Sequence, residues 1–278
     1  MRSHSESTGP ARIRQRFHRS PLLPFVEVRT TTSSALPYAP HVHATLSIGL
    51  IVKGRTRLRC ADGEKVLAKG DMVLVAPDET HSCNPVGDAP RGYHMFHVDA
   101  EWALSLMGGK PGSVLAVERR TFSEPAAFAA LSDLAIALGK GGDPGPGREA
   151  LARVIMDHCS ARHREDAAPD DIGRCREILR SRCGDDAPAI AAIAEDLGMG
   201  REGFIRRFRR GAGMTPGSYR QCQRLIRARE MLRGGSSVVE AALACGFADQ
   251  SHFHRMCVKY FSATPGQLRA GVSLSFKK

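Results

Sequence analysis

The sequence predicts an α+β multidomain chain in which an N-terminal β-barrel precedes an all-α domain of two helix-turn-helix units. Three observations predict this fold. Short β-branched runs broken by turn residues extend from residue 21 to about residue 117, which is typical of a barrel or sandwich. Helical periodicity then begins, and the C-terminal part contains an internal repeat. The two parts also differ in net charge. Lys and Arg outnumber Asp and Glu by 19 to 9 in residues 173–278, but only by 21 to 20 in residues 1–172.

This charge distribution favours a nucleic-acid partner for the C-terminal part. A surface charged only for solubility would not concentrate nearly all of a net charge of +11 in one region. No apolar run approaches the roughly 20 residues that a membrane span needs, and the N-terminus lacks the apolar stretch of a secretory signal. We therefore expect a cytoplasmic protein without a membrane partner. The eight Cys form no C-x-x-C pair, which indicates reduced, packed thiols rather than a zinc knuckle.

The N-terminal part divides into an arm and a strand-rich domain. Residues 1–20 are basic and are expected to form a disordered arm. Residues 21–122 are expected to form the barrel, with runs such as "LSIGLIV" (46–52) and "MVLVA" (72–76) as strands.

A helical region is predicted over residues 123–170. Ser123 as N-cap and Pro125 in the first turn open one helix. A second helix covers about 148–163, and the polar segment "REDAAPDD" (164–171) marks the domain boundary. These two helices are candidates for a homodimer contact; the alternative is that they pack on their own barrel.

The C-terminal domain, residues 171–271, is organised by the repeat. The segment "IAEDLGMGREGFIRRFRRGAGMTPGSYR" (193–220) aligns with "EAALACGFADQSHFHRMCVKYFSATPGQLR" (240–269), so that Gly198 corresponds to Gly246. Each copy predicts a helix of small residues, a Gly turn, a second helix and a Thr-Pro pair that opens a further helix. This is the arrangement of a helix-turn-helix unit, in which Gly supplies the turn geometry.

The two copies resemble the tandem helix-turn-helix domain of AraC/XylS-type transcriptional regulators over about 100 residues. The resemblance implies a sequence-specific regulator of double-stranded DNA, more often an activator than a repressor. The helix that joins the copies spans roughly 30 Å, close to the ~34 Å between successive major-groove openings on one DNA face, so two adjacent groove segments are expected to be bound. The DNA-binding residues that the resemblance implies are Arg201, Glu202, Ile205 and Arg206 in the first copy, and Gln250, Ser251, His252, His254 and Arg255 in the second. Arg209 is added because it lies on the outward face of the first copy's second helix, where it can neutralise a phosphate.

Within this set, Arg206 and Arg255 occupy equivalent positions of the repeat. Arg is well suited to bind guanine O6 and N7 with two hydrogen bonds. Two residues of the first copy depart from expectation. Gly203 inside the helix costs about 1 kcal/mol relative to Ala, and Glu202 is unusual on a groove-facing surface. The first copy is therefore expected to bind DNA weakly, or only when its helix is stabilised.

The segments "PHVHATLSIGLIVKG" (40–54) and "LAKGDMVLVAPDETHSCNP" (67–85) resemble the cupin-type effector domain that often precedes this DNA-binding unit. The match is carried by His41, His43, Gly54, Gly70, Asp71, Pro77 and His81. Metal-binding cupins add a Glu to the first motif, and Ser47 stands at that position here. The candidate effector-binding residues are His41, His43, His81 and His97.

Three interpretations of these histidines stay open. They line a pocket for a small-molecule effector, they hold a divalent ion with water in its open positions, or they form hydrogen bonds across the barrel. The first is preferred, and no metal or cofactor is expected. The predicted function is thus a DNA-binding transcriptional regulator, not an enzyme, controlled by an effector in the cupin-like domain. The alternatives are a metal-dependent cupin enzyme or sensor tethered to DNA, and an effector-independent DNA binder.

Overall fold

Antiparallel strands make up most of the N-terminal domain. The computed structural model describes residues 14–163, 171–184 and 187–270. The strands are β1 (Arg14–Ser20), β2 (Leu23–Ser34), β3 (Leu46–Lys53), β4 (Arg55–Cys60), β5 (Gly63–Ala68), β6 (Met72–Val75), β7 (Ser82–Pro85), β8 (Arg91–Val98), β9 (Ser113–Val117), β10 (Thr121–Phe122) and β11 (Cys159–His163). The helices of this domain are α1 (Ala100–Leu106), α2 (Pro125–Lys140) and α3 (Gly145–His158).

Two stacked sheets replace a closed barrel. Six strands pair in the order β1-β2-β8-β3-β6-β10 and three in the order β5-β4-β7, while β11 pairs with β9. Ile51, Val73 and Tyr93 of the larger sheet pack with Leu58 and Leu67 of the smaller one. The cupin-like architecture is therefore confirmed, although the described strands are not hydrogen-bonded around a full circle.

The other face of the larger sheet is covered by α2 and α3. Successive strand residues point to opposite faces, so Val26 and Val28 of β2 pack towards the helices whereas Glu27 and Arg29 point away from them. Leu134 and Ile155 bring the two helices into the same core. The two helices thus pack on their own domain. The homodimer contact remains a prediction, for which Ile136 and Met156 offer exposed apolar side chains and sedimentation velocity is the direct check.

Two boundaries differ from the expectations. Residues 14–20 are not a disordered arm, because β1 pairs with β2 along its length and Phe17 packs against the C-terminal domain; residues 1–13 lie outside the described residues. The second helix ends at His158, and the chain continues as β11 rather than as helix. Most of the expected boundary at 164–171 lies outside the described residues.

The C-terminal domain contains two helix-turn-helix units, as the repeat predicted. Its helices are α4 (Asp171–Ser181), α5 (Ile190–Asp196), α6 (Arg201–Ala212), α7 (Pro216–Arg233), α8 (Val238–Ala244), α9 (Gln250–Phe261) and α10 (Pro265–Ala270). The units are α5–α6 and α8–α9, joined by α7. The turn glycines Gly198 and Gly246 have φ values of 64° and 72°, which a side chain rarely tolerates.

Short-range signals explain where these helices begin. The Thr215 hydroxyl accepts a hydrogen bond from the Ser218 amide at 3.2 Å, and Ser237 forms a capping box with Glu240. Such a cap contributes about 1 kcal/mol. The Phe204 and Phe253 side chains are buried in one core, which contributes about 1.5–3 kcal/mol each. No helix in the described part of the chain has the length and apolar character of a membrane span.

Candidate functional site

The helices α6 and α9, the second helices of the two units, are here called the recognition helices. Each buries one side, α6 through Phe204 and Phe208 and α9 through Phe253 and Cys257. Eight of the ten predicted DNA-binding residues are exposed on the remaining surface: Arg201, Glu202, Arg206, Arg209, Gln250, Ser251, His254 and Arg255. The other two, Ile205 and His252, are half-buried. The polar side chains therefore lie where the amphipathic pattern predicts them.

Three of the predicted residues have local partners. Glu202 forms an exposed ion pair with its neighbour Arg201 at 3.1 Å, which offsets the negative charge on this surface. The His252 ring lies edge-on against Phe247, with 5.5 Å between the ring centroids. Its backbone amide donates to Asp249, the N-cap of α9, at 2.6 Å. The His252 side chain therefore packs partly against the turn and is only partly available to DNA.

The carboxyl end of α9 is bound to the N-terminal domain. The last carbonyls of a helix have no hydrogen-bond partner within the helix. Here three of them each accept a hydrogen bond from a donor in the other domain. The Ala39 amide donates to Lys259 O (3.1 Å), Arg29 Nη1 to Phe261 O (2.9 Å) and Gln15 Nε2 to Ser262 O (2.7 Å). A movement of the N-terminal domain at these three hydrogen bonds would therefore move the end of the recognition helix α9.

The carboxyl end of α6 makes a similar contact. The Thr80 hydroxyl donates to the Ala212 carbonyl at 2.5 Å. Close by, Asp78 accepts hydrogen bonds from Arg180 of α4 and, at 3.3 Å, from the Tyr219 hydroxyl of α7. Both recognition helices therefore end on the same domain, at different points of its surface.

A buried carboxylate joins β2 to the helix between the two units. Glu27 is 4% exposed and pairs with Arg229 and Arg233 of α7, and also with Arg19 of β1. Burial alone would raise the pKa of Glu27, but the guanidinium groups of Arg229 and Arg233 lower it to about 2. Burial lowers the pKa of Arg229 to about 10, although Glu27 acts in the opposite direction. Glu27 is thus ionised in the folded chain at neutral pH.

The four predicted effector-binding histidines lie together between the sheets and α9. Ring centroids are 4.7 Å apart for His41 and His43, 4.5 Å for His41 and His81, and 4.8 Å for His43 and His97. They line a small, partly enclosed cavity of about 30 Å³, here called the inner cavity, whose wall includes Tyr260 and Phe261 of α9. Burial lowers the pKa of all four below the ordinary value, so they are neutral at physiological pH.

Three of these histidines have the donor set of a metal site. One ring nitrogen from each of His41, His43 and His81 lies within 4.8 Å of the others. Since a carbonyl only accepts, Nδ1 of His41 donates to Ala39 O (2.9 Å) and Nδ1 of His81 to Glu79 O (3.0 Å). Nε2 of each ring is therefore unprotonated, and its lone pair can coordinate a metal or accept a hydrogen bond, an arrangement common around metal-bound histidine.

A hydrogen-bonded network accounts for the same geometry without a metal. The Nε2 atoms of His41 and His43 are 3.1 Å apart, which fits donation from His43 to His41. Ser47, at the cupin Glu position, lies 3.3 Å from His97 Nδ1 and supplies no carboxylate. Three neutral nitrogens still fit a divalent transition metal.

Sequence reasoning missed the most strongly charged part of the inner cavity. Arg29, Arg91, Tyr38 and Tyr93 also line it. The two tyrosine hydroxyls hydrogen-bond to each other, and Arg91 donates to the Thr56 hydroxyl at 2.7 Å. One signal was available: Arg91, Tyr93, Met95 and His97 alternate along β8, so they share one face of the sheet.

A larger open cleft of about 710 Å³ adjoins the inner cavity, with His81 in the wall of both. Its sides are the loop of residues 76–82 and the end of α6 at Arg210 to Gly213. Volumes of this size are typical of small-molecule sites. The contact between the domains thus holds a small, partly enclosed chamber beside α9 and a larger, more open one beside α6.

Two family models match the chain. The one described as an AraC-like ligand binding domain matches residues 26–154, and the one described as a helix-turn-helix domain matches residues 193–271. Each match falls on one domain of the structure.

Curated relatives carry similar descriptions. An uncharacterized HTH-type transcriptional regulator, YbfI of Bacillus subtilis (strain 168), is 26% identical over 223 residues, or 76% of this chain and 80% of YbfI. The HTH-type transcriptional activator RhaS of Escherichia fergusonii is 32% identical over 93 residues, or 33% of this chain and 34% of RhaS. The chain therefore spans only about a third of RhaS.

Solved structures share the arrangement of both domains. ToxT from Vibrio cholerae O395 superposes with a TM-score of 0.55 at 12% identity, covering 94% of this chain and 98% of ToxT. ToxT bound to an unsaturated fatty acid gives a TM-score of 0.55 at 12% identity over 98% of both chains. At this identity the likeness shows the fold alone.

Proposed function

Because the chain belongs to the AraC-type transcriptional regulators, with a ligand-binding domain before its helix-turn-helix domain, we propose that a ligand at the contact between the domains controls DNA binding. One observation carries this proposal: Tyr260 and Phe261, at the end of α9, line the same cavity as the four histidines. A ligand there touches the recognition helix. Control requires that the ligand bind one arrangement of the domains better than another.

The size of the inner cavity supports a ligand that binds one arrangement of the two domains better than another. A volume of about 30 Å³ has room for about two water molecules. A metabolite enters only if α9 moves away from the histidines, or if the ligand extends past His81 into the open cleft. Either route changes the contacts at the ends of the recognition helices.

On the DNA side, the proposal assigns one major-groove segment to each recognition helix. The connecting helix α7 has 18 residues and a length of about 27 Å, comparable with the ~34 Å groove repeat. The exposed residues named above would make the base and phosphate contacts. Contact with two adjacent groove segments distinguishes this arrangement from binding by one unit alone.

Footprinting on a DNA fragment selected by the full chain from a random library tests this assignment. We expect two protected major-groove segments separated by about one helical turn, on one face of the duplex. A single protected segment, or no preferred sequence after selection, would contradict it.

A divalent metal in the inner cavity is a second candidate, favoured by the unprotonated Nε2 atoms of His41 and His81. When bound, a metal would supply a Lewis-acid centre to which an effector could coordinate. We expect metal analysis of chain purified without chelator to separate the candidates. Near-stoichiometric metal that is lost in His43→Ala would support the metal site, whereas absent metal in wild-type chain leaves the hydrogen-bonded network.

Catalysis by the chain is not part of the proposal. The relatives are named as transcriptional regulators, and we infer that the chain acts on DNA in the cytoplasm. A metal-dependent enzyme tethered to DNA remains the rival, and the metal analysis above bears on it first.

A further inference from the structure

We propose that the ligand of the inner cavity is a small organic acid, whose carboxylate lies between Arg29 and Arg91. This inference rests on the proposed function and names the chemical class of the effector. Four observations carry it: two buried guanidinium groups, their unpaired nitrogens, an acid-free cavity wall and the contact of Arg29 with α9.

The two guanidinium groups are buried without an acidic partner. Arg29 is 8% exposed and Arg91 is 1% exposed. Among the described residues, neither forms an ion pair with a carboxylate within 4.0 Å; Glu27, two residues from Arg29, pairs instead with Arg19, Arg229 and Arg233. Buried charges in proteins are ordinarily paired, so an anion from outside would complete the site.

Both guanidinium groups face the same pair of aromatic rings. The Arg29 Cζ atom lies 5.4 Å from the Tyr38 ring centroid and 5.5 Å from that of Tyr93, and the Arg91 Cζ atom lies 5.2 Å and 5.0 Å away. The Nε atoms of both arginines are buried and lack a hydrogen-bond partner among the described residues. A guanidinium group binds a carboxylate through such N–H groups.

The rest of the cavity wall suits an acid with an apolar body. Among the described residues lining the cavity, none is Asp or Glu, while Ile51, Val73 and Met95 are apolar. Burial raises the pKa of Tyr38, so its hydroxyl stays protonated and adds no negative charge. The wall thus attracts an anion, and its described residues supply no carboxylate to balance the charge of a cation.

Arg29 connects this site to the recognition helix. Its Nη1 donates to the Phe261 carbonyl at the end of α9, and Nη2 donates to the Tyr38 hydroxyl at 2.6 Å. A carboxylate that draws on the same guanidinium group competes with the Phe261 carbonyl. Binding of the acid therefore weakens one of the bonds that hold α9 against the N-terminal domain.

The test compares acids with uncharged amides of the same shape. Benzoate and octanoate would be titrated into the full chain by calorimetry, beside benzamide and octanamide. We expect at least one acid to bind, with its amide at least about tenfold weaker, the loss typical of a hydrogen bond to a charged group. Equal affinity of acid and amide, or no binding by either acid, would overturn the inference. This comparison needs only wild-type chain.

Arginine variants then identify which guanidinium groups bind the carboxylate. Arg29→Gln and Arg91→Gln should each lose acid binding, and Arg162→Gln, which removes an exposed guanidinium group, should keep it. Acid binding that persists in both pocket variants would overturn the assignment. If an amide binds as tightly as its acid and also changes the affinity for the selected DNA, ligand control would stand, but the ligand would not need a carboxylate. An acid that binds through Arg29 without changing operator affinity would support this site and contradict the proposed control.

Discussion

Replacing Glu27 by Gln is expected to destabilise the folded chain by about 3 kcal/mol. Glu27 is the buried carboxylate that pairs with Arg229 and Arg233, and its loss leaves two partly buried guanidinium groups on α7 without this counter-charge. Removing one partner of a buried ion pair costs about 3–5 kcal/mol, and Gln retains part of the hydrogen bonding. Chemical denaturation of both chains at pH 7 measures the difference.

The same pair predicts a pH dependence with a definite sign. The pKa of Glu27 is about 2 in the folded chain against an ordinary value of 4.5. A carboxyl group whose pKa is lowered by folding stabilises the fold fully above its unfolded pKa, and this contribution is lost as the pH falls. The stability difference between wild type and Glu27→Gln should therefore be constant above about pH 5.5 and shrink between pH 4.5 and 2.

Glu64→Gln is the matched control for Glu27→Gln. Glu64 lies on β5 and, among the described residues, pairs with the half-exposed Arg57 and the exposed Arg59, so its replacement should leave stability unchanged within error. In a double-mutant cycle, Glu27→Gln with Arg229→Gln should cost less than the sum of the single changes, because the two groups act together. Additive losses, or an effect of Glu64→Gln as large as that of Glu27→Gln, would refute the pairing.

Arg206→Ala and Arg255→Ala are each expected to weaken binding to the selected DNA by about 1–3 kcal/mol. Each side chain is exposed at the equivalent position of its recognition helix. Arg contacts to a guanine carry about this discrimination energy, and their loss relaxes specificity at one base position. Fluorescence anisotropy with the selected fragment and with a scrambled fragment measures both effects.

The comparison between the two fragments separates base contacts from phosphate contacts. A base-contacting Arg affects the selected fragment more than the scrambled one, whereas a phosphate-contacting Arg weakens both and reduces the salt dependence. Arg57→Ala, on β4 of the other domain, removes the same charge and should change neither affinity. Unchanged binding by both Arg206→Ala and Arg255→Ala would place the DNA-reading surface elsewhere.

Local patterns predicted both domains and the recognition helices. The β-branched run "LSIGLIV", the turn glycines at 198 and 246 and the Thr-Pro helix starts each depend on neighbouring residues alone, and each is confirmed. The histidines were found because their spacing matches a motif; that they meet in one cavity follows from the pairing of His41 with His81.

The contact between the domains could not be predicted in this way. Glu27 and Arg29 alternate with apolar residues along β2, which is the pattern of a strand with one face in water. The α-helical domain covers that face instead, and nothing within "VEVRTTT" encodes its presence. Phe17 was missed for a related reason: a single aromatic residue among five arginines gives no strand signal, and its partners, β2 and the C-terminal domain, are distant in sequence.

The affinity for the selected DNA of a chain that lacks the Glu27 ion pairs between the domains tests the central claim most directly. Glu27 lies in the ligand-binding domain and not on a recognition helix, so its replacement reaches DNA binding only through the contact with α7. At a temperature where wild type, Glu27→Gln and Glu64→Gln are all fully folded, we expect Glu27→Gln to change affinity for the selected DNA by at least about threefold, while Glu64→Gln matches wild type. Equal affinities for all three chains would contradict control of DNA binding through the contact between the domains.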